Sequence, residues 1–132
     1  FNHRTSSNLI YWLSGQVFPS HDDKAGFTDF VSGIMAFPRD IPIRFDEELK
    51  GNGFREETDF QLRARRAGYQ VYYLPSLALK HDEIRKGGQS DRQQTNWENH
   101  KHFLKKNYGK SWRVKMIFYG LYLILRKAVI KT

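Results

Sequence analysis

Residues 51–81, GNGFREETDFQLRARRAGYQVYYLPSLALKH, constrain this chain more than any other stretch. Three acids, Glu56, Glu57 and Asp59, open a segment in which Phe60, Ala64 and Ala67 recur at helical spacing. Acids favour a helix N-terminus because the unpaired amides and the dipole there are positive. Arg63, Arg65 and Arg66 complement the opposite end, and Asp59 can pair with Arg63 one turn on, at the surface. A helix is therefore expected over residues 55–67, with Gly68 as its left-handed stop. Residues 70–74 (QVYYL) read as a strand ended by Pro75. A second short strand is expected at 77–80, with His81 at its end.

The flanking sequence fills in a single α/β unit. Residues 9–18 are apolar but carry Gly15, so helix and strand are not separable there. A loop is expected at 19–26. Residues 27–37 (FTDFVSGIMAF) read as a buried strand interrupted at Ser32 and Gly33. A turn follows at 38–42, then an acidic turn at 45–53 that ends in two glycines. A flexible loop is expected at 82–88, and a helix over 90–109 with Trp97, Leu104 and Tyr108 on one face. Residues 112–131 are apolar in the middle and basic at both ends.

Composition narrows the function classes. A chain of 132 residues suits one domain with one modest core. A hydrophobic fraction of 39% excludes a disordered tail. The absence of cysteine excludes disulfide scaffolds and thiolate metal sites, and suits a reducing compartment. A net charge of +8 favours anionic partners: nucleic acid, phosphorylated ligands or lipid headgroups. The chain opens at Phe1 with no recognisable signal peptide, as a fragment or processed product would.

The order of acids, basic helix, glycine stop, strand, proline, strand and histidine resembles the acceptor-side half of a family 2 glycosyltransferase, the GT-A type, over residues 28–108. The resemblance implies an α/β fold, the C-terminal half of a GT-A (nucleotide-diphospho-sugar transferase) fold. Residues 1–110 would belong to the transferase domain and 111–132 would form a basic amphipathic C-terminal helix. It implies inverting transfer of a sugar from a nucleotide-sugar to a hydroxyl acceptor, sugar or lipid-linked, in polysaccharide or glycolipid synthesis. The family's acidic motif falls on Glu56, Glu57 and Asp59 as catalytic residues. The base is Glu57 or Glu56, with Glu57 favoured, although the family commonly has Asp at that position. One carboxylate suffices to take the acceptor's proton. The bland reading is that all three acids only complement the helix dipole.

The resemblance also implies a divalent metal, Mn²⁺ or Mg²⁺, with His81 as an imidazole ligand; otherwise His81 is simply a strand-end residue. The family's Asp-x-Asp is absent, since Asp22 and Asp23 are adjacent. The donor-binding half is therefore expected to lie outside this chain, which would be inactive alone. Ser32 and Gly33 would leave room for substrate, or form a bulge in the core. Arg85 and Lys86, in a loop with two glycines, would close over the diphosphate or remain a solvated basic loop.

The apolar centre at 116–125 (MIFYGLYLIL) is too short for a bilayer span of about twenty residues. It would lie on an anionic membrane surface with Trp112, Tyr119 and Tyr122 at headgroup depth, or pack against the rest of the enzyme. The expected location is cytoplasmic, peripheral at the inner membrane face. The rival functions are a nucleic-acid-binding module and a membrane-associated non-catalytic domain. Interleaving of cations with acids, and the lack of any nucleic-acid motif, weigh against the first.

Overall fold

The computed structural model describes residues 13–15, 24–31, 35–51, 53–76 and 92–130. It is a mixed α/β arrangement: β1 (Gly26–Thr28), α1 (Glu56–Arg66), β2 (Val71–Tyr73), α2 (Arg92–Tyr108), a 3-10 turn (Gly109–Ser111) and α3 (Trp112–Ile130). The expectations placed on Ser32, Gly33, residues 77–80, His81, Arg85 and Lys86 lie outside the described residues.

Helix α1 forms as its pattern predicts, with Phe60 and Ala64 buried. Ala67 does not join them; it is the exposed C-cap. Gly68 takes φ +93°, and the amide of Tyr69 returns to the Ala64 carbonyl at 3.0 Å, closing the last turn. The reversal delivers the chain into β2. Strand β2 pairs antiparallel with β1, Phe27 opposite Tyr72, and the two exposed rings meet edge to face with centroids 5.1 Å apart.

Among the described residues of the buried strand expected at 27–37, only Phe27 and Thr28 are strand, as part of β1, and Phe27 is 70% exposed. The reason lies in α1. The side chain of Gln61 accepts from the Val31 amide at 2.8 Å and donates to the Val31 carbonyl at 2.7 Å. It takes the backbone groups that a longer ladder would use. Arg65 pairs with Asp29 at 2.6 Å beside this junction. The turn expected at 38–42 is present, closed by the Ile41 amide on the Pro38 carbonyl at 3.1 Å.

Two apolar clusters flank α1. Ile41, Ile43, Phe60 and Ala64 pack with Met35 on one side. The ring of Phe45 stacks on Phe60, with centroids 4.6 Å apart. On the other side, Phe103, Leu104, Met116 and Tyr119 join α2 to α3, with Leu62 of α1 against them. Of the expected α2 face, Leu104 is fully buried and Tyr108 half-buried. Trp97 lies at the margin, stacked on Tyr119 at 5.6 Å. Leu104 also touches the 13–15 segment so closely that a Cβ on Gly15 would lie 2.6 Å from it. Replacing Leu104 by Ala should therefore cost about 3 kcal/mol, read as a lower urea midpoint with an unchanged slope.

Candidate active site

The acids sit at the mouth of α1 on a loop that is bolted to α2. Asp46 accepts from Lys106 Nζ at 2.6 Å and pairs with His102 Nε2 at 2.9 Å. Burial pushes the Asp46 carboxyl up, but these partners, the Glu48 amide and the Lys106 charge outweigh it and hold its pKa down to about 2. Further along, Asn99 grips Lys50 at both backbone groups, accepting from its amide at 3.0 Å and donating to its carbonyl at 2.8 Å. Gly51, at φ +66°, lies against Thr95, where a Cβ would stand 2.9 Å from the methyl.

Arg55 is the hinge of the mouth. It is the single non-glycine residue at positive φ among the described residues, φ 80° and ψ −3°. No side chain caps α1. The first turn closes instead through the backbone, Glu56 to the Gly53 carbonyl at 2.7 Å and Asp59 to the Arg55 carbonyl at 2.8 Å. A left-handed arginine costs about 1 kcal/mol or more and persists because its surroundings hold it. Its buried guanidinium lies 4.7 Å over the Phe54 ring and 5.7 Å over Phe103. Burial brings its pKa down to about 10, so it stays charged at neutral pH.

Arg55 Nε donates to His100 Nδ1 at 3.0 Å, while His100 Nε2 lies 2.9 Å from the Ser14 carbonyl. The first contact makes Nδ1 an acceptor, and the second makes Nε2 the donor. The imidazole is thus neutral, in a single tautomer. Burial, then the Arg55 charge, drive its pKa from 6.5 down to about 3, with a smaller effect of Lys115 and an opposing one from the Ser14 carbonyl.

The three acids do not share one environment. Asp59 is completely buried. Its Oδ2 accepts from Arg63 Nε at 2.8 Å and Lys106 Nζ at 3.2 Å, and its Oδ1 from Asn107 Nδ2 at 2.7 Å. The expected Asp59–Arg63 pair therefore forms, but its acid is inside rather than at the surface. Glu56 and Glu57 are half-buried in the first turn. The Glu56 carboxylate folds back over Gly53, at φ +67°, so closely that a Cβ there would collide with it.

Sequence reading missed the polar face of α2: Asn99, His100, His102, Lys106 and Asn107. Asn107 closes it, accepting from Arg66 Nη1 at 3.0 Å while its own carbonyl takes Nη2 at 2.8 Å. The available signal was the recurrence of Asn99, His102 and Lys106, and of His100 and Asn107, a helical stripe in polar residue types. Among the described residues, no three His, Asp or Glu side chains converge to hold a metal ion. The expected ligand His81 lies outside them. No family model, curated protein or solved structure matches the chain.

Because folded His100 resists its proton until about pH 3, only the unfolded chain takes it up as pH falls below 6.5. Stability is fully present above 6.5 and declines below it. Urea unfolding should lose up to about 1 kcal/mol per pH unit from this group between roughly pH 6 and pH 4. His100→Asn should flatten that slope; an unchanged slope in the variant would assign the acid sensitivity elsewhere.

Proposed function

We propose that this chain forms the acceptor side of an inverting GT-A-type sugar transferase, with the mouth of α1 carrying the base. The observation that supports it most is the division of labour among the acids. Asp59 is saturated by Arg63, Lys106 and Asn107 and holds the helix mouth in place. Glu56 and Glu57 stand in the first turn, Glu56 over Gly53, directly after a loop that α2 holds at Asp46, Lys50 and Arg55. A base must sit at a fixed angle within hydrogen-bond reach of its proton, and such a mount provides that.

In this reading Glu57 takes the proton of the acceptor hydroxyl. The oxygen's electron pair attacks the anomeric carbon, and the bond from that carbon to the diphosphate breaks on the opposite face. The pair departs on the phosphate oxygen of the nucleoside diphosphate, with inversion at carbon. The donor is a nucleotide-sugar and the acceptor a sugar or lipid-linked hydroxyl, as in polysaccharide or glycolipid assembly. Mn²⁺ or Mg²⁺ remains part of the proposal for the intact enzyme.

The test is a triplet of variants in the intact enzyme. Glu57→Gln should lower kcat on the order of 10²-fold with an unchanged melting temperature, because the amide keeps the shape but cannot take a proton. Asp59→Asn should instead lower the melting temperature, since it strips the charge from a buried site between two cations. Near wild-type turnover in Glu57→Gln, with loss in Glu56→Gln, would move the base by one residue. Full turnover in both would sink the reading.

A further inference from the structure

Helix α3 has two apolar faces. Met116 and Tyr119 are buried against α2, with Trp112, Tyr122 and Leu123 packed beside them. The opposite face carries Val114, Ile117, Leu121, Ile124 and Leu125, spaced as one helical stripe and exposed, Ile117 at 64% and Ile124 at 65%. The sequence expectation that Trp112, Tyr119 and Tyr122 lie at headgroup depth is therefore corrected, because those rings face the core. The outward stripe is aliphatic.

Charge identifies what would cover it. Residues 101–132 contain nine Lys and Arg and no Asp or Glu, so this stretch carries +9 and residues 1–100 carry −1. Lys106 is engaged by Asp46 and Asp59. Arg113, Arg126 and Lys127 are exposed on α3 itself. A second copy of the helix would set these cations against their own kind, with no acid on α3 to answer them. Nucleic acid would use the cations but leave an aliphatic stripe without the aromatic rings that bases stack on. An anionic lipid surface answers both halves: acyl chains meet the stripe while headgroups meet the cations. No described helix is long and apolar enough to cross a bilayer.

We propose that the outer face of α3, Val114 to Leu125, lies in the interface of an anionic membrane and seats the protein on it. This is independent of the transferase reading, since it uses no residue of the α1 mouth. The experiment is co-sedimentation of the intact protein with vesicles of phosphatidylcholine alone and of equal parts phosphatidylcholine and phosphatidylglycerol. Binding is expected to the anionic vesicles only, weakening as salt rises. Arg126→Gln and Lys127→Gln should each reduce partitioning about fivefold. The double variant Ile117→Ser with Ile124→Ser should reduce it about tenfold or more, with an unchanged circular dichroism spectrum, since both side chains are already exposed. Equal binding to both vesicle types, or an outer-face variant that binds like the parent, overturns the proposal. So does a parent that is oligomeric without lipid and becomes monomeric in that variant, which would assign the stripe to a second copy.

Discussion

The buried carboxylate of Asp59 is the constraint on which the rest of this structure depends. An isolated charge inside a protein is very unfavourable unless partners satisfy both of its oxygens. Here the partners come from two helices: Arg63 from the next turn of α1, and Lys106 and Asn107 from α2. Meeting that requirement fixes how α1 and α2 dock. Because Lys106 also reaches Asp46, and Asn107 also reaches Arg66, one short stretch of α2 holds the loop before α1, its first turn and its last turn together.

The same seam explains why a left-handed arginine can start the helix. Arg55 gains little from its own backbone geometry, and no side chain caps the helix behind it. It is kept there by two aromatic rings and by an imidazole that must stay neutral to accept its hydrogen bond. Cation and histidine are thus coupled. A protonated His100 would face Arg55 with like charge, so the mouth of α1 is held by a contact that acid destroys. Positioning of the candidate base and acid sensitivity of the fold have one origin.

Part of this was legible in the chain and part was not. Helix α1, its glycine stop, β2, α2 and α3 follow from local patterns, and each appears close to its expected bounds. The long strand expected at 27–37 is cut short among the described residues because β-rich composition reports a preference for extended backbone, not the presence of a pairing partner. Only three residues of β2 answer it, and Gln61 takes the backbone groups of Val31. The polar seam was invisible for a different reason. Asn, His and Lys on a helix read as a solvated face, and only docking against Lys50, Arg55 and Asp59 makes Asn99, His100 and Asn107 interior. Of the candidate site, the first-turn acids were legible by type and spacing. Their separation into a buried Asp59 and half-buried Glu56 and Glu57 required the third dimension.

Net charge carries a similar lesson about where a property sits. Taken over the whole chain, +8 with interleaved acids suggests a diffuse basic surface. The interleaving holds only up to Glu98; beyond it every charged side chain is Lys or Arg. Four of those cations, Arg113, Lys115, Arg126 and Lys127, lie on α3, which exposes an aliphatic stripe after its core face is filled. A helix apolar on one side needs one partner, and α2 supplies it for α3. A helix apolar on two opposite sides leaves a second face to be covered, and the proposed occupant is an anionic surface that also offers hydrocarbon. Packing of Trp112, Tyr119 and Tyr122 on the α2 side sharpens this argument, because the large apolar side chains that α3 leaves exposed are all aliphatic.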